Sequence, residues 1–324
     1  MDEYGVIAFP DIGNAVTLTA GSRAMSYLGY YEVGIRNNSG SFSVPNKTAG
    51  STLYLVPIMF GTMIDGGAWA QAAVVDSLSI NDNVVNFHVN NHNLITVKFA
   101  AFEILGVSTT TSTYGVILSD SSNYMELNSN TAGCCVWRGS VNINGAWSVP
   151  TTIPARQNAV VFANWSDPNA ALTFDNASKQ IRCYAPDGKS ASVWANVCVF
   201  TSGFNLELPM YGDAIFNEAG QCTYSSLYAP IFLAGVAALN KTPGTWTACP
   251  VSAPLIPVGS VGAMRTGSGG KDYYLWSRCG VKMYNGSIAG GPGEYLGSFK
   301  EAGAASYSCV SPVSFPVLNL SDYF

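Results

Sequence analysis

A period of two, rather than the 3.6-residue period of a helix, organises this chain. No stretch of a dozen or more residues free of Gly and Pro sustains apolar residues at i, i+3, i+4 and i+7 between recognisable caps. VVNFHV at 84–89 alternates, and LITVKFAAFEIL at 94–105 puts Ile95, Val97, Phe99 and Ala101 on one face and Thr96 and Lys98 on the other. With NNHN at 90–93 between them, the two runs read as a hairpin. SVNINGAWSV at 140–149 centres on Asn144-Gly145, the pair that best tolerates the positive φ angles of a two-residue type I′ turn, and predicts another. APDG at 185–188 reads as a further reversal, with Pro at the second turn position and Gly at the fourth. The expectation is an all-β chain of antiparallel sandwich or jelly-roll type, in one or two domains. SVPTTIPARQ at 148–157 carries two prolines and no apolar alternation. It places the expected division between a β domain at 1–150 and a second at 151–324.

Charge narrows the choice of partners. Charged residues are 11% of the chain, against about a quarter in an average soluble domain. A neutral exterior rich in Tyr, Ser, Asn and Gly suits loops making adaptable contacts, or a surface covered by neighbouring subunits. The 15 Lys and Arg form no run of three, which argues against a nucleic-acid partner because phosphate binding needs clustered cations. The longest apolar run, APIFLAGVAAL at 229–239, is broken by Pro230 and Gly235 and is too short to span a bilayer, so it is expected in the core. Met-Asp-Glu before Tyr4 is acidic and no apolar leader follows, an arrangement expected of synthesis in the cytosol. The sequons at Asn37, Asn46, Asn164, Asn176, Asn240, Asn285 and Asn319 then reflect the abundance of Asn, Ser and Thr.

The residues that carry chemistry are sparse. Eight cysteines include no C-x-x-C, only the vicinal pair Cys134-Cys135, and several lie in apolar runs such as SVWANVCVF; free, buried thiols are expected. His88 and His92 have a spacing that suits a metal on a helix, but Asn90 and Asn91 between them favour a turn, so no metal or cofactor is expected. RTGSGGKD at 265–272 has Arg265 where a phosphate loop needs its first Gly, and reads as a hairpin loop. A glycan hydrolase needs two opposed carboxylates; Glu207, Asp213, Glu218, Asp272 and Glu294 are the candidates, and turn roles account for most of them. No G-x-S-x-G occurs. The chain is therefore read as a non-enzyme. Trp69, Tyr273, Tyr274 and Tyr295 follow or lie in Gly-rich stretches, where an aromatic ring can stack on a sugar or anchor a protein, and they are the candidate contact residues. The C-terminal VSFPVLNLSDYF is apolar almost to its end and is expected to pack, on its own domain or on a neighbour.

Phe9-PDI-Gly13, Tyr184-APD-Gly188 and Phe216-NEA-Gly220 each place an aromatic four positions before Gly with an acid in the turn, and read as strand, turn and returning strand. Around the first of these, Tyr4-Gly5-Val6, Phe9, Asp11, Gly13, Val16, Leu18 and Ser22-Arg23 resemble the start of a group of tail proteins from long-tailed bacteriophages, with a looser likeness in AIFNEAGQCTYSS at 214–226. The resemblance implies a virion protein of the tail tip or tail fibre, made in the host cytoplasm, with other tail proteins as partners. A trimer or ring is expected, and a bacterial surface receptor is a further possible partner. It transfers no catalytic residue. On this reading Tyr4, Phe9 and Gly13 belong to a docking hairpin that pairs with a neighbour's sheet edge. The alternatives are a receptor-binding adhesin recognising a surface protein or glycan and, behind it, a tail-associated glycan hydrolase.

Overall fold

The computed structural model describes residues 5–8, 16–19, 23–65, 70–90, 95–106, 115–119, 124–128, 133–270, 273–300 and 309–324. These residues form β-strands joined by turns and two short 3-10 turns, with no α-helix among them, so the chain is all-β.

Alternation decides how the strands pack. In Val84–Val89 the odd residues Val85, Phe87 and Val89 are buried, and in Ile95–Ile104 so are Ile95, Val97, Phe99 and Ala101. These two strands are not hairpin partners, contrary to the sequence reading. Val84–Val89 lies between Ser39–Ser43 and Ala70–Asn81, whereas Ile95–Ile104 lies between Ala24–Ile35 and Thr52–Asp65. Their apolar faces meet across a shared core, with Phe87 and Phe99 ring centroids 5.4 Å apart. Burying both faces against each other removes more apolar surface from water than edge pairing alone would.

The even residues of the same strand serve a second core. Ala100 and Phe102 join Met25, Tyr27, Val56 and Ile58 against Phe162, Cys198 and Phe200. The strand Ser192–Thr201 then turns its other parity, Val193, Ala195, Val197 and Val199, into a third core with Leu172, Phe174, Ile181, Val281 and Met283. The C-terminus serves both of these cores: Phe315 and Val317 of Ser314–Asn319 enter the third, Leu318 and Tyr323 the second, where the Tyr323 hydroxyl donates to Pro230 O and accepts from Phe232 N, each at 3.0 Å. The expected packing of the tail is met on its own chain. The run at 229–239 contributes Ile231 and Phe232 to the second core, although Val236 is exposed.

Asn144-Gly145 does not make a two-residue hairpin either. Cys134–Asn144 pairs with Ser192–Thr201, while Ala146–Ser148 pairs with Gln180–Tyr184. Only Gly145 has positive φ, at 71°; its N–H donates to Ala191 O and its carbonyl accepts from Cys183 N. The glycine therefore carries the chain from one sheet into another. APDG does reverse the chain: Ala185 N donates to Lys189 O at 2.8 Å, and Gly188 takes φ 78°. Ala214–Phe216 and Cys222–Ser225 likewise form a strand–turn–strand unit around Gly220. The stretch 265–270, read from sequence as a hairpin loop, is instead strand, paired with Tyr273–Tyr284; the hairpin is there, but these glycines lie in its arm, and residues 271–272 between the strands lie outside the described residues.

The break expected near residue 150 falls among mutual partners, since strands at 134–148 pair with strands at 180–201. The N-terminal strands are tied to the C-terminal ones at Ser260–Gly270, which pairs in parallel with Thr52–Asp65 through Ser260↔Met59 and Val261↔Gly61. Backbones approach closely there: a Cβ on Gly61 would stand 2.7 Å from Gly262 N. Three hairpins stand apart from this ladder among the described residues, one of them the Ala214–Phe216 and Cys222–Ser225 unit. Gly5–Ala8 pairs with Val16–Thr19, and Gly115–Ser119 with Tyr124–Asn128.

Candidate functional site

In a chain so poor in charge, one place gathers ionic side chains around a cavity. The strands Asp167–Asp175, Gln180–Tyr184 and Tyr273–Tyr284 bury Leu172, Phe174, Ile181 and Val281, so the opposite parity of the first two, with Thr173, Asp175 and Arg182, faces away from that core. Arg278 and Glu294 join them. With Ile58, Met59, Lys98 and Ser260 they line a cleft of about 210 Å³.

Arg182 bridges two carboxylates, with Nη2 3.4 Å from Asp175 Oδ2 and Nη1 3.7 Å from Glu294 Oε1. Arg278 Nη1 donates to Glu294 Oε2 at 2.8 Å. Across the cleft Lys98 Nζ donates to Glu32 Oε1 at 2.9 Å, and the Tyr30 hydroxyl donates to the same oxygen at 2.6 Å. Burial of Asp175 opposes its ionisation. Hydrogen bonds from Ser178 Oγ and from the N–H groups of Ala177 and Ser178, with the charge of Arg182, outweigh that and hold its pKa below the usual carboxylate value. The Glu32 carboxyl is also held low, first by the Tyr30 hydrogen bond and then by Lys98. Asp175 and Glu32 thus stand as ionised hydrogen-bond acceptors to their hydroxyl and cationic partners. The buried Nε atoms of Arg182 and Arg278 have no hydrogen-bond partner among the described residues, and so retain donor capacity beside the cavity.

The residues singled out from sequence are dispersed. Trp69, Tyr4, Phe9 and Gly13 lie outside the described residues. Tyr273 opens the strand Tyr273–Tyr284. Tyr274 is half-buried, with the Arg265 guanidinium 4.3 Å from its ring centroid, so it is fixed by packing. Tyr295 is exposed, next in sequence to Glu294. Of the five candidate acids, only Glu294 enters the cleft; Glu207, Asp213 and Glu218 are exposed elsewhere, and Asp272 lies outside the described residues. His88 pairs with Asp76 at 2.6 Å, and His92 is outside the described residues. The eight cysteines are free thiols, six of them buried. Sequence reasoning missed Arg182, Arg278, Asp175, Lys98 and Glu32. Only Asp175 and Arg182 carried a local signal, seven positions apart around a turn.

A second surface is apolar. The irregular segment between Thr201 and Ala214 exposes Leu208, Met210 and Tyr211, the last two at 87% each. Beside it a groove of about 500 Å³ is lined by Cys134, Phe204, Leu206, Cys222 and neighbours, with no charged side chain among them. An unpaired Met–Tyr tip over an uncharged groove is a protein-contact surface in character.

Compared with known proteins, residues 5–301 match the model of a family described as a family of unknown function (DUF6453). No curated protein and no solved structure matches the chain.

Proposed function

The chain belongs to this family of unknown function (DUF6453), which covers nearly its whole length, and we propose that it is a structural component of a bacteriophage tail tip or tail fibre. In that role it assembles with other tail proteins and with copies of itself, and it contributes to host attachment. The observation that carries the reading is the N-terminal hairpin. Gly5–Ala8 and Val16–Thr19 pair with each other and, among the described residues, with nothing else. Among the described residues neither outer edge is paired, although Val16–Thr19 runs near Gly115–Ser119, and an unpaired edge of this kind can take an incoming strand through backbone donors and acceptors. Gly5, Val6, Val16 and Leu18 of these strands are among the residues that carry the resemblance to phage tail proteins. The exposed Leu208, Met210 and Tyr211 supply a second contact of the kind a packed assembly covers.

The test is removal of residues 1–23 from the gene, followed by purification of particles. The truncated protein is expected to fold, because the described cores draw on residues from Ala24 onward, and to be absent from particles. Truncated protein incorporated at the normal level would refute the docking role.

A further inference from the structure

Trp194 is 68% exposed although it lies in the middle of a regular strand, Ser192–Thr201, whose opposite parity is core. Nothing in the fold accounts for an indole there. Its surroundings are specific. On the paired strand Cys134–Asn144 the register sets Asn142 directly opposite Trp194, Ser140 opposite Asn196 and Asn144 opposite Ser192. These six side chains share one face by alternation. Ser192 Oγ donates to Asn142 Oδ1 at 2.7 Å, and Ser140 Oγ bonds Asn196 Oδ1. The Asn142 and Asn196 carboxamides are thus oriented by neighbouring hydroxyls, with their Nδ2 groups not taken by any described residue. Residues 140–144 and 192–196 include no charged side chain.

We infer that this face is a saccharide platform: a neutral hexopyranose stacks an apolar C–H face on Trp194 while its hydroxyls hydrogen-bond to Asn142 and Asn196. The occupant follows from the chemistry of the bed. A purely apolar partner would leave the amides and hydroxyls unpaired on desolvation, and around the indole itself, over residues 140–144 and 192–196, a charged partner finds no counter-charge, Arg138 standing at the end of this face beside Ser140. A polyhydroxylated ring offers one face to the indole and a rim of donors and acceptors to the amides at once. Strand pairing holds the platform rigid, so little ordering is needed on binding. The inference stands without the tail assignment, since it concerns the isolated protein and a sugar.

The test is fluorine NMR of protein labelled with 5-fluorotryptophan. The chain has seven tryptophans, and the Trp194 signal is identified by its loss in Trp194→Phe. The probes are the methyl glycosides of glucose, galactose, mannose and N-acetylglucosamine, each titrated to about 50 mM, enough to load a site of millimolar affinity. At least one is expected to shift the Trp194 signal saturably, and Asn142→Ala or Asn196→Ala to weaken that sugar about tenfold, as loss of one hydrogen bond does. A Trp194 signal unmoved by all four sugars would overturn the inference. So would a Trp194 signal that moves with protein concentration alone, which would make the face a contact between copies. Either failure leaves the particle experiment with the 1–23 deletion unaffected.

Discussion

Gly61→Ala strikes the seam that joins the N-terminal and C-terminal strands. The added methyl would stand 2.7 Å from Gly262 N and nearer still to its Cα, and both are backbone atoms that cannot rotate aside. The strand Thr52–Asp65 must withdraw from Ser260–Gly270 by roughly 0.7 Å or more to restore ordinary contact distance. Withdrawal weakens the bond from Ser260 Oγ to Gly61 O, now 2.8 Å, in a buried position. Overpacking of this kind costs about 1–3 kcal/mol. A buried hydroxyl and carbonyl left without partners adds about 1–3 kcal/mol. The expected loss is therefore about 2–6 kcal/mol, a large share of the roughly 5–15 kcal/mol that holds a typical domain together. Urea unfolding followed by far-UV circular dichroism measures it. Gly106→Ala is the control, because a Cβ there meets nothing within 4 Å, and its midpoint is expected to stay with the parent protein. A Gly61→Ala variant within 1 kcal/mol of the parent, on the scale of ordinary surface substitutions of about ±0.5 kcal/mol, would refute the close approach and the account of how the two halves are joined.

Tyr323→Phe removes one hydroxyl and orphans both Phe232 N–H and Pro230 O in the second core, at an expected cost of about 1–3 kcal/mol in the same urea assay; an unchanged midpoint would contradict the tail's docking. Alkaline pH acts through the thiols. Burial pushes Cys183 up to about 12 and Cys249 up to about 11, from an ordinary value near 9. The unfolded chain then releases these protons first, so their contribution to stability is complete below about pH 9 and is lost as pH rises, by about 1.4 kcal/mol per unit for each thiol. Lys179, drawn down to about 8 first by burial and then by Arg156, acts in the opposite direction above pH 8, so the informative quantity is a difference between variants. The gap in stability between the parent and Cys183→Ala is expected to shrink between pH 9 and 10.5, and a gap independent of pH would contradict the burial of that thiol. Glu103 is buried and accepts from Thr48 N, Thr48 Oγ1 and Ser51 Oγ, so Glu103→Ala is expected to release the 48–51 turn and cost more than 2 kcal/mol; hydrogen exchange at Thr48 left unchanged would contradict this.

The strands themselves were legible in the sequence, and their partners were not. The parity of Val85, Phe87 and Val89, and of Ile95, Val97 and Phe99, gives the buried faces correctly. Parity does not say whether two apolar faces in succession lie side by side in one sheet or opposite each other across a core, and here the larger burial is face to face. Asn144-Gly145 failed for a related reason. Gly145 supplies the positive φ that the turn chemistry called for, but long pairing with Ser192–Thr201 on one side and short pairing with Gln180–Tyr184 on the other outweighs a local hairpin. The cleft was hidden because it is assembled from Lys98, Asp175, Arg182, Arg278 and Glu294, which only the tertiary fold brings together. Trp194 did carry a signal. In SVWANVCVF it shares parity with Ser192 and Asn196 and opposes that of Val193, Ala195 and Val197, so alternation alone marks an outward-facing indole.

The assignment to a phage tail is tested most directly by labelling. Particles released from cells carrying this gene are incubated with gold-tagged antibody raised against the folded protein and viewed by negative-stain electron microscopy. Gold at one end of the tail, in a fixed copy range from particle to particle, is the expected result. Particles that carry no gold, with the protein recovered only in the particle-free fraction, would contradict it.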